Sequence, residues 1–346
     1  MKRRTYLRLL PATAVAGAAG CSSSGDEPDE GDDTDADTDT DTETATTESA
    51  STTEPTATPE ESLDAAAAAL NEASEGIGTQ SDAFGEDEES FDESGIRQSI
   101  TTANDHLDAA EEADLSEDQQ ADVEDMRNVA AYFSLLTDTM LQLDRGFNEV
   151  DVAQSYVDTE RFDDGIESLD DARSAFRDAS DDLSDAEDAF EALDEGSFER
   201  IDGTTYAEVE DSMQMARQLV DMMDPFLTGY REFVRGYERF TVATTALDEE
   251  RYQTAADEYS TASVRFGDAE SAFTDAEEFA PADMQSSVIS LTCYAAALAD
   301  ASEHFAEAAR ALDEGDDQTA NEEAEAGQEA VSRCDSSPAA LAMPAL

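Results

Sequence analysis

The sequence is poor in several kinds of residue. It contains no tryptophan, only two histidines, and no lysine after Lys2. After Cys21, no segment stays apolar over the roughly 20 residues that a membrane-spanning helix needs. Phosphate-binding glycine loops and the His-Glu-x-x-His zinc motif are also missing, and neither histidine has the Glu-x-x-His spacing of di-iron helices. Because no catalytic set is recognisable, we expect neither an enzyme nor a cofactor.

Acidic residues are in large excess. The chain has 87 Asp and Glu against 19 Lys and Arg, which gives a net charge of -68 at pH 7. At low salt, repulsion between these charges would destabilise a compact fold. Molar salt shortens the Debye length to about 3 Å and so screens the repulsion. Acid excess with lysine depletion is similar to the proteins of haloarchaea. We therefore expect a salty exterior with monovalent or divalent cations condensed on the surface, and no nucleic acid as partner, because an acidic surface repels it.

The first residues form a recognisable leader. KRRTYLR, beginning at Lys2, leads into a weakly apolar run that ends in AAGC at Cys21. This resembles a twin-arginine signal peptide with a lipobox. In that family an export machinery reads the paired arginines, here Arg3 and Arg4. The signal peptide is then cleaved off before the cysteine, here Cys21, which is lipidated. The resemblance implies a signal peptide over 1–20 and a lipid anchor at the extracellular face of the cell membrane.

Two other interpretations of this leader exist. One is an ordinary secretory signal whose cysteine is incidental. The other is a short membrane helix, which is disfavoured because the run contains Pro11 and is shorter than a bilayer span.

An acidic, threonine-rich segment follows over residues 21–58. Residues 22–60 contain fourteen Asp or Glu and no Lys or Arg, and Asp alternates with Thr near 35–42. Such a segment has too few apolar side chains to offset its ordering entropy, so we expect a disordered tether. Fully extended, it would reach about 130 Å at roughly 3.3 Å per residue. It lacks the glycine turn and closing glutamate of an EF-hand, and its threonines are candidates for O-linked sugars.

The rest of the chain is expected to be helical. Ala, Glu, Asp, Leu and Arg dominate, and apolar residues recur at spacings of three and four. Capping signals mark starts at Thr58, Ser116 and Thr205, and Pro225 predicts a kink or break near Asp224. The predicted helices lie near 59–76, 91–113, 117–157, 160–194, 206–247, 250–278, 282–313 and 317–333.

An internal repeat appears when the chain is shifted by ninety positions against itself. DTERF at 158–162 matches DEERY at 248–252, RGF at 145–147 matches RGY at 235–237, and Phe176 matches Phe266. A weaker partial copy, ALDE at 311–314, matches ALDE at 246–249. The repeating unit is thus a helical hairpin.

Such amphipathic hairpins must pack on one another to bury their apolar stripes. We therefore predict an all-α fold of repeated long helical hairpins over 59–335, packed as an elongated bundle or short solenoid, with a disordered tail over 336–346. Ala-x-x-x-Phe at 172–176 and 262–266 resembles tetratricopeptide hairpins. That family repeats every 34 residues and carries an early Trp-Leu-Gly pattern, which this chain lacks, so only the idea of stacked hairpins is carried over.

Cys293 and Cys334 lie on opposite arms of the last predicted hairpin. Their distances from the turn near Gly315, about 33 Å and 28 Å at 1.5 Å per residue, are within one helical turn of level. Outside the cell a disulfide there would persist, and closing a loop of about 42 residues would stabilise the fold by roughly 4 kcal/mol. The alternative is two free thiols packed as small apolar groups.

His304 and Glu307 have the one spacing typical of metal ligands. His-x-x-Glu puts an imidazole and a carboxylate on one helix face, and it resembles a motif of imelysin-like surface proteins, which are duplicated helical bundles linked to iron uptake. The resemblance implies a metal site at these two residues. An exposed histidine with an acidic neighbour is the competing interpretation, because glutamates are so frequent in this chain.

Two further groups have a functional and a structural interpretation. Met213, Met215, Met222 and Met223 suggest either a soft-metal site or filling of gaps between helices, and we favour the filling. Arg231, Arg235 and Arg239 share one helix face. They either bind an anion or pair with acids of an adjacent helix, and we favour the pairing.

The sequence as a whole predicts a non-enzymatic surface lipoprotein of a halophilic archaeon. It would present a helical scaffold for protein interaction or envelope structure, with the membrane reached through the lipid on Cys21 and another envelope protein as partner. The alternative is a metal- or solute-capturing lipoprotein for uptake.

Overall fold

The computed structural model of the chain describes residues 58–83, 91–198, 200–201, 205–282 and 284–334. The expectations for Arg3, Arg4, Cys21, the tether up to residue 57 and the tail from 336 concern residues outside these ranges. Eight α-helices and one short 3-10 helix, Glu195–Phe198, make up the described part. The α-helices are α1 (Pro59–Ala83), α2 (Glu93–Glu111), α3 (Glu117–Asp158), α4 (Phe162–Phe190), α5 (Tyr206–Asp248), α6 (Tyr252–Glu277), α7 (Gln285–Glu314) and α8 (Asp317–Val331).

The three predicted helix starts are confirmed as capping boxes. The Ser116 hydroxyl accepts from the Gln119 N–H while the Gln119 side chain accepts from the Ser116 N–H, and the same reciprocal pair caps α5. At α1 the Glu61 carboxylate accepts from the Thr58 N–H at 2.8 Å. Each cap satisfies backbone donors that the first helical turn leaves without a partner, so local sequence alone fixes these boundaries.

Two helix ends differ from the prediction by more than three residues. Helix α1 continues to Ala83 rather than ending near 76, because Gly76 lies inside the helix at a close contact with α2. A Cβ at Gly76 would lie 3.0 Å from the Ile96 side chain. Helix α4 ends at Phe190, and the chain then turns through the short 3-10 helix instead of continuing to 194.

Pro225 does not break α5. The helix is continuous from Tyr206 to Asp248, so of the two predicted outcomes the break is wrong, and the kink stays a prediction. The missing N–H of Pro225 costs one helical hydrogen bond. The burial of apolar side chains on both sides of Pro225 offsets this cost, since Met222 and Leu227 are no more than 1% exposed.

The same backbone turn closes three hairpins. Each is a Schellman motif, in which one N–H reaches a carbonyl five residues back and the preceding N–H reaches one three residues back. The longer bonds run from Arg161 to Tyr156, from Arg251 to Ala246 and from Asp316 to Ala311, at 2.8–2.9 Å. The turns after α3 and α5 are ninety residues apart, and the third follows the weaker ALDE copy. The sequence repeat is therefore a structural repeat.

A left-handed residue sits at each of these turns. Gly315 has φ 77°, as expected of a helix C-terminus, but Glu160 and Glu250 have φ 58°. In this region a residue with a Cβ is less stable than glycine by roughly 1–2 kcal/mol. Glycine loses more conformational entropy on folding, and this difference offsets only part of that cost.

Glycine at these two turns should stabilise the protein. We expect Glu250→Gly to raise the free energy of unfolding by about 0.5–1 kcal/mol. The matched control is Gly315→Ala, which introduces a Cβ at positive φ and should lower stability by about 1 kcal/mol. Urea unfolding in molar salt, followed by circular dichroism, measures both. A destabilised Glu250→Gly variant would show that the glutamate contributes something other than strain.

Each helix packs mainly against the helices that precede and follow it in the chain. Among the described residues the extensive contacts follow chain order, with α1 also touching α3, and no strand is present. The fold is therefore all-α, with hairpins stacked in sequence. Three buried apolar clusters follow one another along the array. Helix α5 spans all three, through Met213, Phe226 and Phe240 respectively.

Glycine lets an aromatic ring approach the long helix in both repeats. A Cβ at Gly146 would lie 2.7 Å from the ring of Phe176, and a Cβ at Gly236 would lie 2.7 Å from the ring of Phe266. The two pairs are ninety residues apart. Each joins the long helix of a hairpin to its shorter arm, so the duplicated sequence preserves a specific packing contact.

Candidate functional site

The last hairpin contains most of the residues that the sequence singled out. The structure joins Cys293 on α7 to Cys334, just beyond α8, by a disulfide with a Cα–Cα distance of 6.1 Å. That distance lies in the range of ordinary disulfides. The two helices are antiparallel arms around Gly315, so the disulfide closes the open end of the hairpin opposite its turn.

His304 and Glu307 have different hydrogen-bond partners. Nδ1 of His304 lies 2.8 Å from a carboxylate oxygen of Glu323 on α8, while Glu307 accepts from the Arg310 guanidinium at 2.6 Å. The histidine therefore links the two arms of the hairpin, and the glutamate takes part in a pair within α7. No group of three metal-ligating side chains occurs within the described ranges.

The four methionines do not form one cluster. Met213 lies in the first apolar cluster, whereas Met222 and Met223 lie in the second, all of them buried. Met215 is 49% exposed. Gap filling describes the three buried residues, but it is wrong for Met215, because the helix turns that side chain towards solvent.

The arginine stripe of α5 is used in ion pairs. Arg231 reaches Asp170 on α4 at 3.0 Å, and Arg239 reaches Glu258 on α6 at 3.5 Å. Arg235 instead pairs with Glu232 of its own helix, at 2.7 Å. Pairing with an adjacent helix thus describes Arg231 and Arg239, and Arg235 differs because Glu232 lies one turn before it.

Glu232 is a buried acid that the sequence did not single out. It is only 7% exposed, and its two carboxylate oxygens accept from Arg235 and, at 2.8 Å, from Arg265 on α6. Arg231 lies 3.6 Å away. The bond from Arg265 joins Glu232 of α5 to α6. Arg231, which lies near Glu232, also pairs with Asp170 and so links the group to α4. Removing a single member would leave a buried charge without its partners. The pattern of four-residue arginine spacing gave no hint of the shared acid.

The contact between α4 and α5 is strongly polar. Arg173 on α4 donates through Nε and Nη2 to both oxygens of Asp224, at 2.7 and 2.9 Å, and Arg177 adds a third bond. Arg217 on α5 makes the corresponding bonds to Glu187 on α4. These pairs hold one hairpin against the next, where the two halves of the duplication meet.

Ion pairing uses nearly all the positive charge of the described part. Every arginine there except Arg145 pairs with a described acid. Many of these pairs join different helices. The remaining carboxylates stay on the surface, which is therefore acidic and suited to a solvent of high ionic strength.

Two carboxyl groups have pKa values shifted in opposite directions. The hydrogen bonds from the Arg173 guanidinium lower the pKa of Asp224 below its usual value. Burial raises the pKa of Asp182, and the neighbouring Asp138 and Asp178 add to the shift. Ionised Asp224 therefore stabilises the fold, an effect lost as the pH falls through its lowered pKa. Ionised Asp182 costs stability, a cost that disappears as the pH falls through its raised pKa.

Asparagine at these two positions should have opposite effects. At pH 7 we expect Asp224→Asn to lower stability by about 1 kcal/mol, a value that allows for solvent screening of a half-exposed pair. Asp182→Asn should raise stability by about 0.5 kcal/mol, because it removes a repelled charge. Urea unfolding at about pH 7 and about pH 4 tests both. The gain from Asp182→Asn should shrink at the lower pH, and a gain that persists unchanged would rule out the charge as its cause.

The described part has two open grooves near its first helices. The larger, about 700 Å³, lies at the turn between α2 and α3, and the smaller, about 400 Å³, lies between α1 and α2. Carboxylates, amides, glycines and a few apolar side chains line them, with Arg127 in the larger one. Neither groove is lined by a histidine or a cysteine.

We found no match to this chain among protein-family models, curated proteins or solved structures. None of the described helices combines the length and the apolar character that crossing a membrane requires.

Proposed function

We propose that this chain is a non-enzymatic lipoprotein of a halophilic archaeon, held at the outer face of the membrane by a lipid on Cys21. Its helical part is a scaffold that presents an acidic surface to another envelope protein. The observation that carries the proposal is the repeated hairpin. Its turn and its glycine–phenylalanine contact recur ninety residues apart, and the hairpins stack in chain order. Repetition of this kind extends a surface rather than enclosing a pocket.

The charge distribution supports the same proposal. Apart from Arg145, the arginines of the described part lie in ion pairs, many of them between helices, and the unpaired charge on the outside is mainly acidic. A partner that binds this surface would bring basic side chains. Thirteen acidic residues precede the helices in the sequence, and like charges there favour an extended tether.

Replacing the lipidated cysteine tests the anchor. We expect Cys21→Ser to release a folded protein into the medium, because the lipid is the proposed attachment. Cell fractionation followed by circular dichroism of the released protein measures location and folding together. The control is Cys293→Ser, which leaves the leader unchanged and should leave the protein on the membrane. A Cys21→Ser protein that stays with the membrane would refute lipid anchoring.

Cross-linking on intact cells in native salt tests the scaffold. After Lys2 the chain has no lysine, so amine-reactive reagents suit it poorly. A carbodiimide would instead join its surface carboxylates to lysines of a bound neighbour. We expect one defined adduct, lost when Cys21→Ser removes the protein from the envelope. A chain that forms no adduct with another protein under these conditions would contradict the scaffold proposal.

A further inference from the structure

Helix α8 contacts few other elements, and the side chains that it buries are small. Among the described residues it packs extensively only on α7, and its buried residues are Ala320, Gly327 and Ala330. Helix α6, by comparison, buries Phe266 and Phe273 and packs on both α5 and α7. With 15 residues, α8 is also about as short as an isolated helix can be and still form in water. Little apolar burial therefore holds it in place.

Electrostatics does not favour its docking either. Between Asp317 and Val331 the helix carries five acidic residues and no basic one. Helix α7 is itself acidic, with Arg310 as its only arginine, and that arginine pairs with Glu307. The polar links between the arms are the contact of His304 with Glu323 and the pair of Arg333 with Asp300, both at or near the surface. Exposed pairs of this kind contribute little.

The disulfide is thus the strongest connection between α8 and the rest of the fold. We infer that α8 is a redox-controlled latch, which stays docked while Cys293 and Cys334 are bonded and detaches when the bond is reduced. The remaining hairpins stay folded, because the contacts of α6 with α5 and α7 do not depend on α8. This inference concerns the helical part alone and does not rest on the lipid anchor.

A low-molecular-weight thiol can supply the two electrons. Cys293 is exposed, whereas Cys334 is only 5% exposed. An external thiolate therefore attacks the sulfur of Cys293, the disulfide breaks, and Cys334 leaves as a thiolate that takes up a proton. A second thiol resolves the mixed disulfide, which gives two protein thiols and one disulfide of the reagent.

Detachment would uncover an apolar surface on α7. The missing Cβ of Gly327 lets α8 approach the ring of Phe305, since a Cβ there would lie 2.8 Å from it. Phe305 is 3% exposed and also contacts Phe240 and Tyr259. Losing α8 leaves one face of this aromatic cluster open, so reduction would add an apolar patch to an otherwise acidic surface.

Hydrogen exchange of the oxidised and dithiothreitol-reduced protein in molar salt tests the latch. We expect amides of α8 to exchange at least about 100-fold faster after reduction, because the loop closure contributed by the disulfide is lost. Peptides from α6 should keep their protection. A dye that binds apolar surface should bind the reduced form more, and both changes should reverse on reoxidation.

Two variants separate the disulfide from the rest of the hairpin. Cys293→Ser should reproduce the reduced pattern without reductant, and protection of α6 shows that the variant is folded. His304→Gln keeps the disulfide and should leave α8 protected. The inference fails if α8 stays protected after reduction. It fails equally if α6 and α8 lose protection together, since the disulfide would then stabilise the whole domain.

Discussion

Phe266→Ala should lower the free energy of unfolding by about 3–5 kcal/mol. The side chain is completely buried, lies against Gly236 on α5 and makes an edge contact with Phe233, with ring centroids 5.4 Å apart. Truncation removes this apolar burial and leaves a cavity between helices whose backbones cannot close together. Urea unfolding in molar salt, with oxidised protein, measures the loss.

The matched control for this truncation is Phe279→Ala. Phe279 is 43% exposed just after the end of α6, so the same chemical change there should alter stability by no more than about 0.5 kcal/mol. Phe176→Ala, at the equivalent position of the first repeat, should resemble Phe266→Ala, because Phe176 is 3% exposed and packs on Gly146. Equal losses for Phe266 and Phe279 would contradict the packing described for α6.

Gly236→Ala should lower stability by about 1–3 kcal/mol, although alanine is the better helix former. The new Cβ would lie 2.7 Å from two ring atoms of Phe266, closer than such atoms can approach, so α5 and α6 must separate or the ring must rotate. The measurement is again urea unfolding. Gly146→Ala should give a similar loss, since its Cβ would meet Phe176 at the same distance.

A glycine with free space provides the control. Gly267 follows Phe266 in α6, and a Cβ there would meet nothing within 4 Å. Gly267→Ala should therefore stabilise by up to about 1 kcal/mol through helix propensity alone. Opposite signs for Gly236→Ala and Gly267→Ala are the expected result. If both variants gained stability, the close approach of the ring to α5 would be wrong.

The hairpin turns show how far local sequence reaches. The ninety-residue match placed equivalent turns just before residues 160 and 250, and the structure gives Glu160 and Glu250 the same left-handed backbone. The weaker ALDE copy led to the third turn, where Gly315 occupies the corresponding position. These outcomes depend on residues within a few positions of one another, which is why the sequence was sufficient. The glutamates in place of glycine gave no sign that they were strained.

Contacts between helices were less accessible to prediction. Cys293 and Cys334 could be paired because the hairpin geometry places both at one level, and the structure joins them. His304 and Glu307 share a helix face, yet each has a different partner, Glu323 and Arg310. A spacing within one helix says which residues share a face. It does not say which residues of the neighbouring helix lie opposite.

Capping, apolar periodicity and the internal repeat were enough to determine an all-α chain of stacked hairpins, because these signals act through neighbouring residues. Tertiary structure alone decided that Glu232 is buried beneath arginines from two helices, and that Gly236 accepts the ring of Phe266. It also decided that α5 continues through Pro225. Each of these depends on how far apart two helices lie and which side chains meet across them, and that is set by the packing of the whole array.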